Sequence, residues 1–326
     1  MEYRPLGRSG LRVSRVGLGG STLGSMTHGD EAIALVRHAL DRGVTLIDTA
    51  VTYTGGESET LIGRAIEGRR DEVVLTSKVG LAPPDAPHLL GLSRRRILTA
   101  VETSLRRLRT DHLDLYLAHR PDPATPIHET LRAMDRLVTD GKVRYLGGSN
   151  YAAWQLAEIE GIVRHEGLEP WIAAQNRFNL LDGLDDPTLL GAVTRLGMGV
   201  IPYMPLASGM LTGKYLPGVA PEPGTRAGDR DHTVLREITE PKLVAAARLR
   251  AWAEARGRSL TELALAWLLD HPEVTAIIPG ARTPDQLDAN IAAAEWRLEP
   301  GDREAARRVA LGLERGSESG GAEATA

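Results

Sequence analysis

The sequence contains no cysteine. That excludes disulfides, a thiol nucleophile and every cysteine-ligated metal or iron–sulfur site. It has no run of about 18 apolar residues, the length a membrane-spanning helix needs. Its first ten residues are polar and carry Arg4 and Arg8 where a signal peptide would be apolar. A cytoplasmic protein with no membrane attachment is expected. Positive charge is not in excess: 39 basic residues face 43 acidic ones, for a net charge of −4, so nothing points to a nucleic-acid partner. Lysine itself is scarce. Only Lys78, Lys142, Lys214 and Lys242 stand among the 39 basic residues, and the other 35 are arginines. In such a chain a lysine can mark a place where a compact point charge serves and a planar fork does not.

What is present is the balance of a soluble globular protein, 42% hydrophobic and 25% charged over 326 residues. Short Val/Ile/Leu runs alternate with longer amphipathic stretches. The runs predict strands at 16–19, 45–48, 73–78, 113–119, 143–149, 171–176, 200–203 and 274–278. The stretches between them predict helices at 30–42, 57–67, 94–109 behind an N-cap at Ser93, 126–139, 151–165, 187–196, 241–256 with 260–269, and 284–294. Continuous apolar strands separated by helices mean a parallel sheet covered by helices. Eight such units predict an α/β fold of the (β/α)8 TIM barrel type. A doubly wound open sheet would place G-x-G-x-x-G after its first strand, and Gly17, Gly19, Gly20 and Gly24 miss that spacing. Residues 3–6 and 12–14 flank a glycine turn and read as an N-terminal β-hairpin capping the barrel bottom. One domain over 1–314, with extra helices and a small, polar, disordered tail over 315–326, completes the expected organisation.

In a barrel, chemistry sits at the C-terminal ends of the strands. The polar residues there are Asp48, Lys78, His119, Ser149 with Asn150, Gln175 with Asn176, Tyr203 and, past the last strand, Arg282; Tyr53 follows Asp48 on the same loop. Singly, each has an ordinary use. Asp48 suits a helix cap, Lys78 a strand end snorkelling to solvent, His119 a satisfied buried histidine and Tyr53 a loop aromatic. On one rim they form a chemical set. An ammonium at Lys78 would favour the phenolate of Tyr53 and lower its pKa, and Asp48 would pair with Lys78. His119 would donate to a substrate oxygen or share the proton. A tyrosine acid beside a lysine suits protonation of a carbonyl oxygen as a hydride reaches carbon. No metal site is expected, since the histidines show no paired spacing, and neither a P-loop nor a G-x-S-x-G elbow is present.

Six segments carry a resemblance: IDTAVTYTGGESE (47–59), VVLTSKVG (73–80), SLRRLRTDHLDLYLAHRPDP (104–123), GKVRYLGGSN (141–150), IPYMPLASGMLTGKY (201–215) and IPGARTPDQLDANI (278–291). Over nearly its whole length the chain resembles the aldo-keto reductase superfamily, and within it the bacterial branch that also resembles potassium-channel β-subunits. The resemblance implies a barrel that uses NAD(P)H without a Rossmann fold and a catalytic tetrad of Asp48, Tyr53, Lys78 and His119. In it Tyr53 is the general acid, the Lys78–Asp48 pair tunes it and His119 orients the carbonyl. It implies that Ser149, Asn150 and Gln175 meet the nicotinamide carboxamide, that Tyr203 stacks on the ring, and that Gly20, Ser21 and Asp48 border it. Met204, Pro205, Leu206, Ala207, Ser208, Gly209 and Lys214 would approach the diphosphate. Arg226 would close a loop over the cofactor, and Gly280, Arg282, Gln286 and Asn290 would hold its adenosine end. Arg282 beside a helix N-terminus favours the extra phosphate of NADPH over NADH.

The resemblance implies reduction of a small carbonyl substrate, with two alternatives: oxidation of a sugar or hydroxyl substrate, and a cofactor-sensing binding subunit. Departures from the family pattern are Thr54 where glycine is usual, Met204 for a common Ser, Phe178 for Tyr, and Ala289 where many relatives have Glu. Substrate choice is expected from loops 21–29, 81–92, 120–125 and 216–240. Lys142 reads as a structural turn residue and Lys242 as an ordinary helix-surface lysine.

Overall fold

A computed structural model describes residues 1–82, 86–184, 186–225, 227–228 and 232–313. Arg226 and the tail over 315–326 lie outside the described residues, as do parts of the loops 81–92 and 216–240. The chain opens with the hairpin β1 (Tyr3–Pro5) and β2 (Arg12–Ser14), paired antiparallel. Parallel strands β3 (Leu18–Gly19), β4 (Leu46–Asp48), β5 (Val74–Val79), β6 (Leu113–Ala118), β7 (Val143–Ser149) and β8 (Trp171–Gln175) follow. A short antiparallel pair, β9 (Phe178–Asn179) and β10 (Gly183–Leu184), stands between β8 and β11 (Gly199–Val200). The curled sheet runs β11-β8-β7-β6-β5-β4-β3.

The eighth position of the (β/α)8 barrel is filled by 274–278, but not as a regular strand. It joins its neighbours through single parallel bridges, Val200 to Val274 and Val16 to Ile277. Backbone bonds close the ring on both sides: Thr275 N to Val200 O at 2.9 Å, Ile277 N to Arg15 O at 3.0 Å and Gly17 N to Ile277 O at 2.8 Å. Pro272 and Pro279 bracket the segment and offer no N–H to extend the ladder. Pro202 likewise shortens the expected strand 200–203 to Gly199–Val200, with Tyr203 held beyond it by a bridge to Arg177.

Helices α1 (Gly29–Asp41), α2 (Glu57–Ala65), α3 (Arg94–Leu108), α4 (Ile127–Thr139), α5 (Ala153–Glu166), α6 (Leu189–Leu196), α7 (His232–Glu237), α8 (Glu240–Glu254), α9 (Leu260–Leu269), α10 (Pro284–Ala293) and α11 (Asp302–Leu311) surround the sheet. Caps set several of their starts. Ser93 Oγ accepts from Arg96 N, Thr283 Oγ1 accepts from Gln286 N, and Ser259 forms a reciprocal capping box with Glu262; each such cap is worth about 1 kcal/mol. Among the described residues no helix is long and apolar enough to cross a membrane.

The strands are buried on both faces, and the two faces do different work. Outward residues such as Ile47, Leu75, Tyr116 and Ala118 pack under the helices. Inward residues Leu46, Val74, Leu115, Ile172 and Ala276 form a second apolar cluster inside the barrel, with Leu6 and Val13 of the hairpin among them. The hairpin therefore plugs the bottom. Gly7 (φ 55°) must be glycine there, because a Cβ would stand 2.4 Å from Ile172 O and 2.7 Å from Gly197 O. Along β5 the period-two alternation puts Val74, Thr76 and Lys78 on one face, so the interior changes from apolar at the bottom to charged at the top.

Candidate active site

Lys78 ends the inward series of β5 and is fully buried. An ammonium has three N–H donors, and each meets an acceptor: Asp48 Oδ2 at 2.6 Å, Thr49 O at 2.9 Å and Tyr53 Oη at 3.2 Å. The register Asp48 to Thr76 places the Asp48 carboxylate beside Lys78 on the next strand. Its other oxygen, Oδ1, accepts from Gln175 Nε2 at 2.8 Å, so Asp48 is an ion-pair partner and not a helix cap. Tyr53 opens a 3₁₀ turn (Tyr53–Gly56) before α2. His119 follows β6, and its ring meets the Tyr53 ring edge-on with centroids 5.8 Å apart. The structure thus brings Asp48, Tyr53, Lys78 and His119 into one cluster.

The electrostatics differ from the sequence expectation in two ways. Burial acts most strongly on the Tyr53 phenol and raises its pKa. The Lys78 charge pulls it down and the Asp48 charge pushes it up, leaving Tyr53 above the ordinary tyrosine value. The expected lowering by Lys78 is therefore outweighed, because taking a phenolate out of water costs more than the paired ammonium returns. For Lys78, burial works against the charge, but Asp48 and Tyr53 together hold the ammonium above its ordinary pKa. His119 is brought down to about 3 by burial and then by the charges of Lys78 and Arg120. It is neutral at physiological pH and has no extra proton to share; it offers one N–H. Among the described residues its Nδ1 is buried with no hydrogen-bond partner.

The rim continues through Ser149, Asn150, Asn176 and Tyr203. Ser149 lies opposite Gln175 in the β7–β8 register. Asn150, in the left-handed region at φ 63°, donates to His119 O at 2.9 Å and Ser149 Oγ at 3.0 Å. It accepts from Tyr203 Oη at 2.8 Å. Asn176 donates to Tyr151 O at 3.1 Å.

Beyond Tyr203 the backbone turns left-handed at Met204, Ala207, Ser208 and Gly209, around a 3₁₀ turn (Ala207–Thr212). Among the described residues Ser208 Oγ is buried and has no hydrogen-bond partner. Gly209 packs on Lys214, since a Cβ there would stand 2.9 Å from Lys214 Cε. Among the described residues Lys214 forms no ion pair.

At the start of α10, Gln286 Oε1 accepts from Arg282 N at 2.9 Å, and Asn290 Nδ2 donates to Gly280 O at 3.4 Å. The Arg282 guanidinium donates to Gly224 O at 2.6 Å and to Met26 Sδ at 3.2 Å, so it joins two loops. Gly20 sits where a Cβ would stand 2.8 Å from Asp48 O, and Ser21 beside it is exposed, ahead of buried Thr22 and Leu23. Among the described residues the buried hydroxyls of Thr22 and Ser208 have no partner, and Lys214, 5.2 Å over the Tyr215 ring, pairs with no carboxylate; free hydroxyls and a lysine cation have the chemistry to meet phosphate oxygens.

Two groups of residues escaped the sequence reading. Behind the Tyr53 loop, fully buried Glu59 accepts from Ser77 Oγ at 2.7 Å and from Arg107 at 3.2 Å. Arg107 also donates to Val51 O at 2.8 Å and Gly55 O at 3.4 Å, holding the backbone on either side of Tyr53. Gly56 makes room for that guanidinium, because a Cβ would stand 2.1 Å from its carbon. Elsewhere, Arg177 pairs with Asp182 and Glu237, and Lys242 pairs with Asp182 at 2.7 Å. Lys242 is therefore part of an ion-pair cluster tying α7 and α8 to the β9–β10 turn, and not an ordinary surface lysine. Lys142 pairs with Glu102.

A model described as the aldo/keto reductase family matches residues 15–309. The chain is 37% identical over 310 residues to the uncharacterized oxidoreductase YrpG of Bacillus subtilis, covering 92% of this chain and 93% of that one. It is 34% identical over 307 residues to the L-glyceraldehyde 3-phosphate reductase of Escherichia coli O157:H7, covering 90% and 87%. It is also 34% identical over 301 residues to a probable voltage-gated potassium channel subunit beta of Arabidopsis thaliana, covering 90% and 92%.

Proposed function

The chain belongs to the aldo/keto reductase family and is an NAD(P)-dependent oxidoreductase; from that premise we propose that it reduces aldehydes or ketones to alcohols, with NADPH as the preferred cofactor and Tyr53 as general acid. The observation that carries the reading is the buried Lys78 ammonium, whose third N–H points at Tyr53 Oη once Asp48 and Thr49 have taken the other two. When bound, the reduced nicotinamide supplies the hydride. The Tyr53 phenol gives its proton to the carbonyl oxygen, and the Lys78 N–H stabilises the phenolate left behind. Neutral His119 donates its N–H to the same carbonyl oxygen and sets its orientation. Ser149, Asn150 and Gln175 would hold the carboxamide and Tyr203 the ring. The segment from Met204 to Gly209 with Lys214 would hold the diphosphate, and Gly280, Arg282, Gln286 and Asn290 the adenosine end. Arg226 is proposed to close over it.

The test is direct. Stopped-flow mixing of the NADPH-loaded protein with a panel of simple aldehydes should oxidise the cofactor in the first turnover. Tight cofactor binding with no turnover on any member would favour a second reading, a cofactor-binding subunit, which draws support from the likeness to channel β-subunits.

The acid–base assignment has a pH signature. Because Tyr53 stays protonated and His119 neutral through the neutral range, kcat for reduction should be level from about pH 5.5 to 8.5. Oxidation of the alcohol needs the phenolate and should rise with pH over the same span. An inflection of the reductive rate near the ordinary histidine range of about 6.5 would mean that His119 is charged and would sink its assigned role.

Cofactor preference rests on Arg282. Arg282→Ala should weaken NADPH binding by about tenfold to a hundredfold, the range of a charge-assisted contact, and leave NADH within about twofold. Equal weakening of both would remove the 2′-phosphate assignment.

A further inference from the structure

Thr54 follows Tyr53 at φ 49°, ψ 41°. That is left-handed backbone, costly for a β-branched residue and free of cost for glycine. Gly55 and Gly56, next in the chain, take positive φ without a side chain. At Thr54 the side chain is present, and its hydroxyl both donates and accepts. It donates to Leu23 O at 2.8 Å and accepts from Ser58 N at 3.0 Å. The first bond crosses from the Tyr53 loop to the loop after β3. The second satisfies a free amide at the start of α2, whose cap residue Gly56 has no side chain to do so.

The facing loop is shaped around this hydroxyl. At Gly24 (φ 89°) a Cβ would stand 3.0 Å from Thr54 Oγ1 and 2.6 Å from Glu57 Cγ. A second tie lies deeper, where Ser58 Oγ donates to Gly20 O at 2.8 Å and meets Thr49 Oγ1 at 2.8 Å. The two loops are thus joined twice, by buried Ser58 and by Thr54, the residue that directly follows Tyr53.

We infer that Thr54 is a positioning residue for Tyr53: its hydroxyl latches the Tyr53 loop to the loop after the first barrel strand and fixes the phenol against Lys78. The inference rests on the reading of Tyr53 as general acid. Three variants separate the hydroxyl from the backbone. Thr54→Val keeps the branched side chain and loses the hydroxyl, Thr54→Gly loses both, and Thr54→Ser keeps the hydroxyl.

Two measurements on the full chain are required. In cofactor-free protein, deuterium exchange over residues 49–60 should speed up in the Val and Gly variants and return toward wild type in Ser. With an aldehyde and saturating NADPH, kcat should fall by about tenfold in Val and Gly while KM stays within about twofold, and Ser should recover most of it. Thr54→Gly should melt no lower than Thr54→Val, so that its lost kcat does not reflect unfolding. Wild-type exchange and wild-type kcat in Thr54→Gly would overturn the inference. Full activity in Tyr53→Phe would instead break the general-acid reading alone, and the exchange measurement would then decide whether Thr54 holds the loop.

Discussion

Lys78→Met is expected to lose carbonyl reduction by about a thousandfold, within the range for general acid–base contributions, and to lose stability as well. The ammonium is fully buried and touches Asp48, Thr49 O and Tyr53 Oη. Methionine fills a similar volume but leaves the Asp48 carboxylate, 3% exposed, without its counter-charge. Breaking a buried pair by removing one partner costs about 3–5 kcal/mol, readable as a lower midpoint in urea denaturation. The double variant Asp48→Asn/Lys78→Met separates the two effects. An asparagine can still accept from Gln175 Nε2 and carries no charge, so stability should largely return while turnover does not. If the single variant kept kcat within tenfold of wild type, the ammonium would have no part in the chemistry.

Tyr53→Phe is expected to lower kcat by about a hundredfold to ten-thousandfold and to leave the cofactor Kd unchanged. The substitution deletes one oxygen and keeps the ring against His119. One Lys78 N–H then lacks its acceptor in a buried setting, which costs about 1–3 kcal/mol. The variant should therefore fold, bind NADPH and fail at the proton step. Isothermal titration together with single-turnover cofactor oxidation checks both halves. A Phe variant that turned over at the wild-type rate would remove Tyr53 from the mechanism, whatever its distance from Lys78.

Much of the barrel was legible because each strand is a short apolar run ended by a polar residue. Two strands are shorter or less regular than their apolar runs suggest, for a local reason: proline at 202, 272 and 279 removes the N–H groups a regular ladder needs. The β9–β10 pair was invisible, since two residues per strand show no period.

The cluster of Asp48, Tyr53, Lys78 and His119 could be anticipated from strand ends, because alternation and parallel register bring such ends to one rim. Its electrostatics could not. The raised Tyr53 and the depressed His119 both follow first from burial, a property of neighbours distant in the chain. The Glu59–Arg107 pair spans 48 positions and the Arg177–Glu237 pair 60. No spacing rule joins residues so far apart. Thr54 is visible in the sequence only as a departure from a glycine, because its use depends on Leu23 O and Ser58 N, which face its hydroxyl only in the fold.

The hairpin at the N-terminus has a consequence for traffic. With Leu6 and Val13 wedged into the lower interior and Gly7 pressed on the strand backbones, the barrel is a vessel stoppered at its foot. Anything that reacts beside Tyr53 comes in through the mouth and goes out through it. Arrivals and departures share one doorway, so each new substrate waits until the last product has cleared it.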